Sequence, residues 1–363
     1  MALHRLPVVR ITIALVALFA IAASWVLMTL PRRGIDIRTA RNGMTPIRYY
    51  AAADLASAPG VIVLHGFGSS QQVMSGFALA LARSGFAVVT LDFSGHGRNR
   101  EPLDRAAGSL QADIDRAYQT LVSQPEVDAD RIAILGHSMG SGAAMSAAIR
   151  NPERYAATIA VSPTDAEVTA TLPPNLLLMA GTWEERFLDN ARGLLDRAGG
   201  GGTTRSAFAS GTARALVSVP NVEHITILFS QKTRQAALQW LNRTFDHQSV
   251  QLRPDRRILW LGLQFVAWMV LVAASAPVVR RLLRSAAATP LAPRGRPVAW
   301  WISGLIAPFA ATGATVLAAR VVDLGELGGV LVGGTLSLWF LLAGVLWLAA
   351  GFRPRKPGMS DVA

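Results

Sequence analysis

The chain of 363 residues contains no cysteine, which excludes disulfides, zinc–thiolate sites, iron–sulfur clusters and a cysteine nucleophile. Lysine is nearly absent too. Of 35 basic residues only Lys232 and Lys356 are lysine, a bias that reads as high-GC, bacterial coding. Charged residues make up only 16% against 51% apolar, and mean hydropathy is +0.34. So little charge excludes a disordered chain and a wholly soluble polar one. Acid is the scarcer sign, leaving a formal charge of +12 and a pI near 11.3. That balance ordinarily raises nucleic acid as a partner, but the excess is localised. Residues 34–250 carry 19 basic and 19 acidic side chains, and the remainder carries 16 against 4. The surplus flanks apolar segments, where it reads as membrane topology. No nucleic-acid partner is expected.

Four stretches lack any Asp, Glu, Lys or Arg and are long enough to cross a bilayer of roughly 30 Å: residues 11–30, 258–279, 298–319 and 330–350. Between the second and third lie Arg280, Arg281, Arg284, Arg294 and Arg296 with no acid, and the tail holds Arg353, Arg355 and Lys356. Positive-inside logic puts that loop and tail in the cytoplasm, the N-terminus inside, and residues 34–250 outside. Arg32, Arg33, Arg253, Arg256 and Arg257 then fall on the outer side, against the pattern. The first span, with Ala20-Ile21-Ala22, also resembles a cleavable signal peptide; its length favours an uncleaved anchor. The expected layout is an anchor over 1–33, a central domain over 34–248, a three-helix transmembrane region over 256–352 and a basic cytoplasmic tail over 353–363. The lipid bilayer is thus an expected partner, in a bacterial inner membrane. The oligomeric state is not legible.

Residues 34–250 alternate strand and helix signals. Segments 35–39 and 46–51 flank Asn42-Gly43, a hairpin signature. Apolar strands are predicted at 61–64, 87–91, 132–135, 156–161, 176–180 and 216–219, with helices near 71–84, 108–123, 140–150, 184–198 and 230–245. This order implies an α/β domain with a mostly parallel sheet covered on both faces. Gly199–Gly202 is glycine-rich, yet no strand precedes it and no Lys-Ser/Thr follows, so it is read as a flexible connection.

The chemical signal is Gly136-His137-Ser138-Met139-Gly140, placed directly between a predicted strand and a small-residue helix. A G-x-S-x-G elbow in this context lifts the serine Oγ out of the sheet, and its glycines admit close backbone approach. The same turn aims the N–H of Met139 at a developing oxyanion. His65-Gly66-Phe67-Gly68 follows another predicted strand and offers the Phe67 N–H as the second donor. Asp92-Phe-Ser-Gly95-His96-Gly97 follows the next.

With these three signposts in order, residues 35–248 resemble the α/β-hydrolase superfamily, in its esterase- and lipase-like branch. The resemblance implies an α/β-hydrolase fold and a triad in the order Ser, acid, His. Of six histidines, His224 lies after the last predicted strand and before the last helix, where the superfamily carries its base. His4, His65, His96, His137 and His247 lie in the tail, in the motif turns or beyond the domain. The superfamily commonly places its acid at Gly-x-x-Asp; here Gly181-Thr-Trp-Glu184 puts Glu184 at that offset, with Glu185 and Asp165 as the alternatives. Many members insert a cap between the strands ending near 161 and starting near 175. Only residues 162–174, with Pro163, Pro173 and Pro174, are available, so no helical cap is expected.

The expected activity is hydrolysis of carboxylic esters through an acyl-enzyme on Ser138, without metal or organic cofactor, on a small-molecule or lipid-like ester substrate. A peptidase of the same fold and a catalytically silent binding module are the alternatives.

Overall fold

The computed structural model describes residues 5–103, 108–248, 254–284, 292–293, 297–322, 324 and 333–353. The chain divides into two compact units, Val26–Leu261 and a second made of Met1–Trp25 with Gly262–Ala363.

The first unit is built on eight strands: β1 (Ile35–Asn42), β2 (Thr45–Ala52), β3 (Ala58–Leu64), β4 (Ala87–Leu91), β5 (Val127–His137), β6 (Ala157–Val161), β7 (Leu176–Gly181) and β8 (Arg214–Val219). Their order across the sheet is β1-β2-β4-β3-β5-β6-β7-β8. The β1–β2 hairpin turns at Asn42 and is antiparallel, as is β2 to β4; all later pairings are parallel. Parallel strands need crossovers, and helices supply all but the one from β6 to β7: α2 (Ser75–Arg83), α3 (Gly108–Val122), α4 (Met139–Arg150), α5 (Glu185–Arg197) and the short α6 (Arg205–Ala209), while α7 (Gln231–Phe245) follows β8. The α6 turn begins just after Gly199–Gly202, the stretch read as a flexible connection, which carries no helix. Its N-cap is Thr204, whose side chain accepts from the Ala207 N–H.

Side chains alternate across each strand, so a strand covered on both faces must be apolar throughout. In β3, Val61 and Val63 join a core with Phe77 of α2 and Leu241 of α7. Ile62 and Leu64 point the other way, into a core with Ile114 and Leu121 of α3 and Ala144 of α4. A third cluster packs Leu188, Ala191 and Leu194 of α5 on Leu176 and Leu178. Residues 162–175 pass from β6 to β7 with no helix or strand, as their length and prolines predict.

Outside the sheet run α1 (Arg5–Thr29), α8 (Arg257–Arg284), α9 (Pro297–Ala318) and α10 (Gly333–Gly351). Among the described residues three segments are long and apolar enough to cross a membrane: Val8–Arg32, Arg257–Ala276 and Trp301–Ala318. The sequence pattern predicted four, and the fourth does not reach that length. Its described apolar run, Thr335–Ala349, spans only about 22 Å at 1.5 Å per residue, short of the roughly 30 Å hydrocarbon core. Residues 330–332, counted in the expected span, lie outside the described residues. So do most of the expected cytoplasmic tail and the loop carrying Arg294 and Arg296. Within the second unit α9 packs on α10, with Trp347 seated against Gly304 and Trp339 Nε1 donating to Thr312 Oγ1 at 2.9 Å.

Candidate active site

At the carboxyl end of β5 the chain turns through Ser138 at φ +54° and ψ −122° and enters α4 at the next residue. A serine is strained at positive φ, and the packing around it explains why the position persists. A Cβ on Gly136 would run into the Gly140 carbonyl, and one on Gly140 would come 2.5 Å from the His65 carbonyl oxygen. Both motif glycines are therefore steric requirements of the turn. Met139 opens the twelve-residue α4, so its N–H has no intrahelical acceptor. Phe67 follows Gly66, whose added Cβ would meet Ser138 Cβ at 3.0 Å. The residues expected to offer oxyanion donors thus flank the serine on both sides.

Two further strand ends converge here. His224, in the loop after β8, brings Nε2 to 3.0 Å from Ser138 Oγ, and its Nδ1 lies 2.9 Å from Glu184 Oε2. With Nδ1 donating to the carboxylate, Nε2 is left as the acceptor for the serine hydroxyl. Glu184 follows β7 and is 7% exposed. Its Oε1 accepts from Ser162 Oγ at 2.8 Å and from the Gly181 N–H at 2.6 Å. Glu185 is exposed in the first turn of α5, and Asp165 is exposed and paired with Arg197. Of the three candidate acids, only Glu184 meets the histidine.

Three contacts were not legible in the sequence. Ser162 holds the second oxygen of Glu184, but nothing in the residues after β6 marks it. Phe187 stacks on the His224 ring at 4.3 Å and 19°. His137, assigned to the turn, also fixes the loop of the catalytic candidate: its Nε2 donates to the His224 carbonyl at 2.8 Å. Its place inside the elbow motif was the available signal.

The other motif histidines are structural. His65 Nδ1 donates to the Gly66 carbonyl at 2.8 Å, while its Nε2 accepts from the Phe93 N–H at 3.1 Å. Burial pushes its pKa down to about 4, and burial with the neighbouring His224 does the same for His137. Asp92 takes hydrogen bonds from the Gln71 N–H and side chain and from the Arg98 N–H, which ties the turns after β3 and β4 together.

Residues 57–226, just under half the chain, match the family described as "Serine aminopeptidase, S33". The domain has the α/β-hydrolase fold. A Mycobacterium phage D29 protein, provisionally named a non-heme haloperoxidase, is 34% identical over 99 residues, 27% of this chain and 34% of the phage protein. A 2-hydroxy-6-oxononadienedioate/2-hydroxy-6-oxononatrienedioate hydrolase of Cupriavidus pinatubonensis is 26% identical over 164 residues, 44% of this chain and 55% of its own. Among solved structures, an esterase from the bacterial hormone-sensitive lipase family has a TM-score of 0.45 at 20% identity, covering 59% of this chain and 85% of that one. The chain spans about a third of the length of the first of the curated relatives it matches. The buried carboxylate, the imidazole and the serine follow the carboxyl ends of β7, β8 and β5, with β6 between β5 and β7 in the sheet.

Proposed function

We propose that the domain is a serine hydrolase that cleaves carboxylic esters through an acyl-enzyme. The observation that carries this reading is the unbroken contact chain from Ser138 Oγ to His224 Nε2, and from His224 Nδ1 to Glu184 Oε2. Ser138 Oγ attacks the ester carbonyl while its proton passes to His224 Nε2. The N–H groups of Phe67 and Met139 stabilise the oxyanion that forms. The tetrahedral intermediate collapses, the C–O bond to the alcohol breaks, and His224 returns its proton to the departing alkoxide. Water then repeats the sequence on the acyl-enzyme and frees the acid. Glu184 stabilises the imidazolium in both halves, itself fixed by Ser162 and the Gly181 N–H.

Labelling of the purified full-length protein by a fluorophosphonate probe tests this. Labelling of the wild type, lost in Ser138→Ala and His224→Ala, is expected. A folded wild type that stays unlabelled overturns the reading and leaves a silent binding module.

A peptidase is the second reading, favoured by the aminopeptidase family matched over 57–226. Turnover of aminoacyl p-nitroanilides at rates matching p-nitrophenyl butyrate would select it.

The apolar helices support a membrane-held enzyme, and the arginine-rich stretch between the second and third spans supports its domain lying outside the cytoplasm of a bacterial cell. Protease added to intact spheroplasts should cut the domain. Protection until lysis would reverse the orientation.

A further inference from the structure

Two of the arginines that run against the positive-inside pattern, Arg33 and Arg257, meet within the Val26–Leu261 unit. A cavity of about 500 Å³ is lined by Arg33, Arg83, Arg234 and Arg257, with Asp255 as the carboxylate among its lining residues. Leu30 and Pro31, from the end of the first apolar segment, complete the wall, and Arg257 begins the second. The cavity thus opens where the chain leaves one apolar helix and enters the next.

Its charges do not balance. Asp255 is engaged by Arg257, whose Nε and Nη2 lie 2.7–3.0 Å from the carboxylate, while Arg257 Nη1 donates to Ser75 Oγ. Arg83 spends its guanidinium on the carbonyls of Leu30, Pro31 and Arg33. Arg234 is the anomaly. It sits one turn before Leu238 on the buried face of α7 and is 4% exposed. Its Nη1 is 3.9 Å from Asp255, and its Nε and Nη2 have no hydrogen-bond partner. Burial lowers its pKa from the ordinary arginine value. A desolvated guanidinium with unmet donors is costly unless an anion meets it.

We propose that this cavity binds the phosphate of an anionic phospholipid headgroup, held between Arg234 inside and Arg33 at its exposed rim. A phosphate oxygen is the acceptor that a planar guanidinium fork fits best. The position at the ends of two apolar segments favours a phosphate that arrives on a lipid. The proposal rests on those helices lying in a bilayer, and it is independent of the hydrolase chemistry.

Thermal unfolding of the full-length protein in non-ionic detergent tests it, with short-chain phosphatidylglycerol, short-chain phosphatidylcholine or inorganic phosphate added. Phosphatidylglycerol is expected to raise Tm and phosphatidylcholine to leave it unchanged. Arg33→Gln and Arg234→Met should each weaken the phosphatidylglycerol response by about tenfold in concentration, the loss of one charge-assisted contact. Hydrolysis of a soluble ester should stay at the wild-type rate in Arg33→Gln, which separates this test from that of the catalytic reading. Because Arg234→Met removes a buried side chain, Arg33→Gln carries the test if that variant fails to fold. Equal shifts with both lipids, or an unaltered shift in Arg33→Gln, overturn the proposal. A shift produced equally by inorganic phosphate overturns the lipid as the source.

Discussion

The two units of the chain use polar groups in opposite ways. In Val26–Leu261, carboxylates and imidazoles are taken out of water and each is given named partners: Asp92 its three donors, Asp113 the Ser94 N–H and hydroxyl, Glu184 its three contacts. In the other unit the described apolar helices α9 and α10 contain no carboxylate, lysine, arginine or histidine at all. Their polar contacts include threonine hydroxyls on backbone carbonyls one turn back, and a tryptophan N–H on one such hydroxyl. A buried carboxylate is kept charged where its lone pairs are met, and the candidate site lies in the unit that meets them.

The comparison can be broken most severely at Ser138. Replacement by alanine should lower kcat for a p-nitrophenyl ester by about 10⁶-fold, read in a steady-state assay, with Tm nearly unchanged. Glu184→Gln keeps the shape and removes the charge facing His224 Nδ1. About 10⁴-fold should be lost, and a loss below tenfold would move the acid elsewhere.

Next comes pH. His65 and His137 carry pKa values of about 4 when folded, against 6.5 in the free side chain. Between those values the unfolded chain takes up protons that the folded one refuses, so stability falls as pH drops from 6.5 toward 4. Each histidine contributes roughly 3 kcal/mol to that fall. A Tm that holds steady down to pH 4.5 would mean that neither is buried neutral. Gly140→Ala drives a methyl toward the His65 carbonyl. It should cost about 3 kcal/mol, measured by urea unfolding. The smallest effects belong to Glu185→Gln and Asp165→Asn, both exposed, whose turnover should stay within about twofold of wild type.

Much of this arrangement was legible before the structure. Strands buried on both faces write themselves as unbroken apolar runs, and β3, β4 and β7 were found that way. Ser138 was legible because its turn needs glycine at two fixed offsets, a local constraint. The candidate acid was legible only as Glu184 by its offset, with Glu185 and Asp165 left open as alternatives. Burial and the reach of His224 separate them, and both arise from loops far apart in sequence. Ser162 and Phe187 escaped for the same reason. Of the fourth apolar stretch, the described residues give an apolar helical run over Thr335–Ala349 alone. Arg234 did leave a trace: an arginine in register with Ala237, Leu238 and Leu241 interrupts the buried stripe of α7.

The bare passage from β6 to β7 also has a meaning in time. A site with no cap between those strands has no opening step to wait for. Product formation should therefore begin without a lag when substrate is mixed with enzyme, and an oil–water boundary should bring no burst of activation.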